Sequence, residues 1–597
     1  MAVTNLTEMF LDTVQRYGTK TALMHKVAGQ YQSISYQEFG AIVKDLALGL
    51  ASLGVKKGDR VALLSENRPQ WAFSDFAILS LGAINVPIYP SLLPKQIEYI
   101  LNDSESKIII TSTKDQTDKV IQILSELPVL KYVVYMDDEI SHPKALSFQQ
   151  VMERGKEFGS QHPEYYDQVT RAIQPDDPAG IIYTSGTTGS PKGAVLTHKN
   201  FLSNVQGGTA TLHIGPEDTF LSFLPLCHVF ERMGGHFCPI SVGATIAYAE
   251  SIDTVAQNLV EVKPTIMTSV PRLFEKMYAR VLDNARAGGP IKQKIFDWAI
   301  KTGEKYVKAK SKGKVGAVLQ AKYNLAHKLV FSKLHERVGG RLRFFVSGGA
   351  PLPKEIGEFF HYAGIKILEG YGLTESSPVI ALNPEDKFKF GTVGPALVKG
   401  GVEIKIADDG EILTRGPHVM KGYYKKPAET KEAIDAEGWL HTGDIGYLDE
   451  DGYLTITDRK KNIIVTSGGK NIPPAPIENL LLTSPLIDQV LVIGDKRKFL
   501  SALIVPNFEL VQNYAQEQNI PFKDNQELVT NPQIVQYIGK EVERLCANLA
   551  RFEQVKAFRL MPKPFTIEEG ELTPTLKIKR KLVEEKYAEL IDSIYAE

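Results

Sequence analysis

Short apolar runs alternate with amphipathic stretches from early in the chain. Arg60-Val61-Ala62-Leu63-Leu64 is an apolar run of strand length, and Lys107 to Ile110 is another. Runs this short and this apolar suit strands buried on both faces. Between them, Pro69 to Leu81 has helical length and opens on a proline, with Asn67 near its start. The alternation of β and α units holds to about residue 175 and resumes over 178–380. There, strands are expected near Ile181, Thr219 to Leu224, Thr245 to Tyr248, Ile266 to Ser269 and Leu342 to Ser347. This order predicts an α/β fold with mostly parallel sheets. Residues 390–457 differ: their apolar runs are shorter and broken by Gly and Asp, as between Val402 and Leu413. They read as a small antiparallel unit. The charged segment Asp458-Arg459-Lys460-Lys461-Asn462 follows, and residues 464–597 are enough for one small domain. The expected division is a large domain over 1–457, a hinge over 458–463 and a small domain over 464–597.

Length agrees with this division, because 597 residues exceed what one hydrophobic core holds. A net charge of -1 argues against an electrostatic grip on nucleic acid. Cys227, Cys238 and Cys546 form neither a CxxC pair nor a disulfide framework, which points to a reducing compartment. The first twenty residues lack a basic region followed by an apolar core, so no signal peptide is expected. The longest apolar stretch, Trp71 to Ile88, is interrupted by Asp75, Asn85 and Pro87. One segment departs from the even charge balance. Residues 291–316 hold eight lysines against one Asp and one Glu, with Ile291, Ile295 and Trp298 at helical spacing. Such a helix suits weak peripheral contact with an anionic membrane, or a solvated surface.

The stretch YTSGTTGSPKGAVLTH, residues 183–198, carries the first candidate chemistry. Five Ser and Thr hydroxyls fall within residues 184–190. Strand-like flanks at Ala179 to Tyr183 and Ala194 to Leu196 set it apart from a flexible linker. Backbone N–H groups of a Gly-rich turn converge on an anion, hydroxyls add donors and Lys192 adds charge, so the loop suits a polyphosphate. It is not a P-loop of the GxxxxGK[ST] kind: the spacing from Gly186 to Lys192 is wrong, and Gly193 stands where that motif needs a hydroxyl. No GxGxxG with a downstream acid supports a dinucleotide fold either.

Tyr183 to Lys192 resembles the phosphate loop of the AMP-forming acyl-CoA synthetases, a superfamily that includes luciferases and the adenylation domains of peptide synthetases. Five further segments resemble its motifs in family order. Ser347-Gly348-Gly349-Ala350-Pro351-Leu352 is similar to the adenine segment, and Tyr371-Gly372-Leu373-Thr374-Glu375-Ser376 to the segment that meets nucleotide and Mg2+. Trp439-Leu440-His441-Thr442-Gly443-Asp444 is similar to the ribose motif, Asp458-Arg459-Lys460-Lys461 to the hinge, and Thr573-Pro574-Thr575-Leu576-Lys577 to the catalytic lysine segment. The resemblance implies two α/β sheet subdomains with a small β-barrel-like unit, followed by a small, mobile α+β C-terminal domain. It implies ATP with Mg2+, and coenzyme A as co-substrate. Nucleotide contacts would come from Thr184, Ser185, Gly186, Thr187, Thr188, Gly189 and Lys192, from Gly348, Gly349 and Ala350, from Tyr371, Gly372 and Thr374, and from Asp444 and Arg459. Glu375 offers a hard oxygen for Mg2+, Asp444 can accept from both ribose hydroxyls, and Arg459 is a fixed cation.

Lys577, Thr184 and His228 are the implied catalytic candidates. Leu576 stands where the family commonly has Gly, which leaves Lys579 open as another register. Lys461 matches the hinge position, and Gly468-Gly469-Lys470 the loop presented during thioester formation. Leu224 to Arg232, Val270 to Lys276 and the insert before Gly339-Gly340 look like the long-chain fatty acyl branch. His228 is open to two readings, a core histidine or a substrate contact. The implied reaction activates a fatty acid as acyl-AMP and passes the acyl group to coenzyme A. Shorter or aromatic acids, a carrier-protein acceptor, and an inactive nucleotide-binding scaffold are the alternatives. A cytoplasmic enzyme is implied, at the inner face of a membrane if residues 291–316 touch it, with a homodimer left open.

Overall fold

The computed structural model describes residues 3–137, 140–184, 191–467, 470–566, 569–573 and 577–596. Among these residues the large lobe carries two eight-stranded sheets and one four-stranded sheet. The first large sheet runs in the spatial order Gly422–Tyr423, Lys192–Thr197, Pro178–Thr184, Ile84–Ile88, Arg60–Leu64, Ile108–Thr111, Tyr132–Tyr135, Ala145–Ser147. Its pairing is parallel from Pro178–Thr184 to Ala145–Ser147 and antiparallel at the other edge. The second runs Val379–Leu382, Lys366–Gly372, Phe344–Ser347, Ile266–Ser269, Thr219–Ser222, Thr245–Tyr248, Thr21–Val27, Gln30–Ser35. The hairpin of residues 21–35 thus edges the sheet built mostly from residues 219–382, a crossing that no local pattern announces. The four-stranded sheet, Glu403–Ile406, Glu411–Arg415, Leu440–Leu448 and Leu454–Arg459, is antiparallel.

The two large sheets share a core in which helix Pro69–Ser80 is buried on nearly every side. A helix apolar all round needs such a place. Its one carboxylate, Asp75, meets the fully buried Arg232, with Nε and NH2 at 3.1 and 2.5 Å, and accepts from Asn85 at 2.7 Å. Burial pushes the Asp75 carboxyl upward, but Arg232 and His236 outweigh it and hold it at about 2. The guanidinium also lies over the rings of Phe201 and Phe237, at 5.2 and 5.3 Å. Removing one partner of such a pair strands a buried charge, at a cost of about 3–5 kcal/mol. Asn67 does not cap this helix, whose N-cap is Arg68. Instead it ties the two sheets together, donating to Ser222 Oγ and the Leu224 carbonyl and accepting from Leu226 N–H.

The small lobe has a three-stranded sheet, Ile487–Ile493, Leu500–Pro506 and Val555–Leu560, covered by helices that include Pro474–Leu481, Phe508–Glu517 and Pro532–Cys546. It closes two cores of its own. Helix Pro271–Ala287 of the large lobe reaches it through Arg272, 3.4 Å from Asp488. Among the described residues no helix is long and apolar enough to cross a membrane.

Candidate active site

The parallel strands of the second large sheet end on one side, where loops can gather ligand groups. Ser269 and Ser347 are paired at the ends of their strands, and Gly348 N–H donates to the Ser269 carbonyl at 3.1 Å. A side chain at Gly348 would meet the Phe230 ring at 3.1 Å. Gly349 has φ +83°, and Ala350 beside it is exposed. On the next strand a Cβ at Gly372 would sit 1.8 Å from the Pro378 carbonyl, so only glycine lets the chain fold back there. That fold carries Thr374–Ser376 as a single tight turn and presents Glu375.

Thr184 and Lys192 pair at the open end of the hairpin formed by strands Pro178–Thr184 and Lys192–Thr197. The intervening candidates Ser185, Gly186, Thr187, Thr188 and Gly189 lie outside the described residues. Lys192 Nζ stands 5.2 Å over the ring of Tyr423. The Tyr423 hydroxyl donates to Glu375 Oε1 at 2.8 Å. This tyrosine links the phosphate-loop lysine to the metal candidate and was not foreseen. It lies on a two-residue strand, Gly422–Tyr423, too short for any alternation to show.

Asp444 and Arg459 sit opposite each other on the antiparallel strands Leu440–Leu448 and Leu454–Arg459. Arg459 Nε lies 3.1 Å from Asp444 Oδ1, and the buried Tyr371 hydroxyl donates to Oδ2 at 2.6 Å. Asp444 is 5% exposed and Arg459 is 49% exposed, so the acid is fixed in the wall while the cation reaches outward. Lys577 comes to the same place from the small lobe. Lys577 is exposed, yet enough protein lies around its ammonium to desolvate it. Desolvation pulls its pKa down to about 8, and Arg459 adds to the fall while Asp444 opposes it. The same ammonium helps depress His228, whose ring burial lowers to about 4. His228 Nδ1 accepts from Phe230 N–H at 3.2 Å, and the ring meets Tyr89 edge-on at 6.5 Å. His228, Asp444 and Arg459 therefore all lie within electrostatic reach of Lys577. Lys579 has another place: its N–H donates to the Glu571 carbonyl, and it precedes helix Arg580–Lys586.

Three residues after His228 lies the buried Glu231, accepting from Ser222 Oγ at 2.6 Å and Thr268 Oγ1 at 2.5 Å. Burial raises its carboxyl to about 7. At the hinge candidate, Lys460 is tied to the large lobe through Asp409 at 2.6 Å and Glu411 at 3.1 Å. Lys461, the next residue, is exposed. Lys470 lies 5.6 Å over Phe552 in the small lobe, away from these contacts, and Gly468 and Gly469 lie outside the described residues.

Two family models match the chain, an AMP-binding enzyme over residues 10–424 and an AMP-binding enzyme C-terminal domain over residues 461–597. The long-chain-fatty-acid–CoA ligase FadD15 of Mycobacterium bovis is 39% identical over 95% of this chain and 93% of its own length. Long chain acyl-CoA synthetase 7, peroxisomal, of Arabidopsis thaliana is 32% identical over 99% of this chain and 86% of its own. The crystal structure of the adenylation domain of a carboxylate reductase from Mycobacterium chelonae superposes with a TM-score of 0.76, at 23% identity, over 99% of this chain and 91% of that one. The adenylate-forming fold of a large mixed α/β domain with a small C-terminal domain is common to both. On these matches, the chain belongs to the AMP-binding enzyme family.

Proposed function

We propose that this chain is an ATP-dependent long-chain fatty acid:CoA ligase working through an acyl-AMP intermediate. The observation that carries the reading is Lys577 of the small lobe set beside His228, Asp444 and Arg459 of the large lobe. That arrangement suits the first half-reaction. A fatty acid carboxylate oxygen bonds to the α-phosphorus of ATP, and the bond from that phosphorus to the pyrophosphate oxygen breaks. Lys577, charged at neutral pH, offsets negative charge that builds between carboxylate and phosphate. Asp444 takes the ribose hydroxyls, held in place by Tyr371, and Arg459 adds a donor. Lys192 meets the phosphates from the hairpin end, with Thr184 beside it. In the second half-reaction the thiol sulfur of coenzyme A bonds to the acyl carbon, and the bond to AMP breaks.

The donor set fits Mg2+ held mainly by substrate phosphates. Glu375 supplies one carboxylate, oriented by Tyr423, and the described residues hold no cluster of three or more His, Cys, Asp or Glu. When bound, the ion would supply positive charge to the triphosphate. His228 is neutral at physiological pH and borders the crevice, which suits contact with the substrate carboxylate rather than proton transfer. The hinge lies within residues 458–463, with Lys460 anchored and Lys461 as the pivot. The small lobe turns there to bring the loop at Gly468, Gly469 and Lys470 to the thioester step. The reading puts the enzyme in the cytoplasm.

The test is ATP–pyrophosphate exchange, then CoA-dependent AMP release, against saturated acids of graded length. Exchange and CoA-dependent release that both peak with long acids are expected. Exchange with short or aromatic acids alone, or release that needs no CoA, would overturn the substrate class or the acceptor.

A further inference from the structure

Helix Pro290–Ser311 buries Phe296, Ala299 and Gly303 and turns its other side outward. It packs on helix Lys354–Tyr362 so closely that a Cβ at Gly303 would lie 2.5 Å from the Tyr362 carbonyl. The chain then returns as helix Ala317–Ala326, pinned to the first by Tyr306 stacked on Tyr323 at 3.9 Å. Between the two helices lies an open groove of about 360 Å³, lined by Ile291, Lys294, Ile295, Trp298, Leu325 and Leu329. Ile291 is 77% exposed, Leu325 49% and Leu329 45%. Single exposed aliphatics are ordinary, but several converging on one groove mark a contact surface.

Charge says what covers it. Lys294, Lys301, Lys305 and Lys308 fall on one helical face beside the apolar stripe, and Lys322 and Lys328 stand three residues either side of Leu325. All six are exposed, and among the described residues only Lys308 has a carboxylate partner, Glu304 at 2.7 Å. A second copy meeting this face across a two-fold axis would oppose lysine to lysine. An anionic bilayer satisfies both halves: acyl chains take the aliphatic and indole groups, and headgroup phosphates take the ammonium groups.

We propose that this helical hairpin is a docking surface for an anionic lipid bilayer, setting the enzyme on the phase where fatty acids dissolve. The proposal gives a partner to the fatty acid ligase reading but stands on separate observations. The full chain is mixed with vesicles of phosphatidylcholine alone, or of phosphatidylcholine with phosphatidylglycerol, at low and high salt, and sedimented. Binding to the anionic vesicles that falls with salt is expected. Lys294→Glu with Lys301→Glu and Lys305→Glu should lower partitioning on the order of a hundredfold. Ile291→Ser with Leu325→Ser and Leu329→Ser should lower it at least about tenfold. Exchange activity, with the acid supplied on cyclodextrin, should match the parent in both variants. Equal binding to both vesicle types, no binding at all, or binding that both variants retain would overturn the proposal. So would a dimer in light scattering that the serine variant breaks apart. If the parent binds as expected but catalyses no exchange, the ligase reading fails and the docking surface stands.

Discussion

Lys577 is the residue on which the chemistry is most exposed to test. Lys577→Ala should reduce acyl-AMP formation on the order of 10²–10³-fold, as loss of a preorganised charge does. Thioester formation from supplied acyl-AMP should persist, and single-turnover assays of each half-reaction read the difference. The ammonium is charged below about pH 8 and neutral above it. For the free enzyme, kcat/KM of the exchange reaction should therefore fall as pH rises through that value. Lys577→Arg should carry the limb to much higher pH, since a guanidinium does not deprotonate there. An unchanged limb would assign the titration to another group. These residues could be picked out because the strings that hold them resemble the family's motifs: Asp444 after Thr442-Gly443, Arg459 after Asp458. The choice between Lys577 and Lys579 was not, because two lysines two residues apart look alike until one faces Arg459 and the other leads a helix. Tyr423 was hidden for a different reason. Its importance comes from pairing with Ala194, far away in sequence.

At the scale of elements, strands buried on both faces declared themselves. Thr245–Tyr248 and Ile266–Ser269 carry the bounds that their apolar runs imply. Asn67 stands before helix Pro69–Ser80, where an asparagine often caps, but its amide bridges the two sheets instead, which no local pattern conveys. Helix Pro271–Ala287 has a part that no periodicity conveys. Arg272 at its start meets Asp488 of the small lobe, with 31% and 40% of the side chains exposed. An ion pair so open contributes no more than about 1 kcal/mol, so it biases the lobe's orientation without fixing it. Arg272→Ala should slow adenylation by about two- to fivefold and leave thioester formation from supplied acyl-AMP unchanged. Equal slowing of both steps would show that the contact supports folding rather than orientation.

For the whole molecule, the division into two lobes followed from length and from the charged segment at 458–462, because separate cores need a polar joint between them. The relative placement of the lobes is a tertiary property, set by contacts such as Arg272 with Asp488, and no single segment encodes it. If Lys461 is the pivot, Lys461→Pro should hold the lobes near the arrangement described here by restricting φ. Pyrophosphate exchange should then stay within about twofold of the parent, while overall CoA ligation falls at least about tenfold. A proportional loss in both assays would move the pivot elsewhere.

The strand Leu454–Arg459 ends with Arg459 pressed against Asp444, and one residue later Lys460 is held to the large lobe through Asp409 and Glu411. Cargo and axle are thus neighbours on the same rod. On the proposed function, a nucleotide that tugs on Asp444 and Arg459 as it arrives, and releases them as it departs, would send that pull straight into the bearing on which the smaller lobe is proposed to swing. The timing of the turn can then be set by what the pocket holds, with no separate sensor and no relay through the rest of the protein.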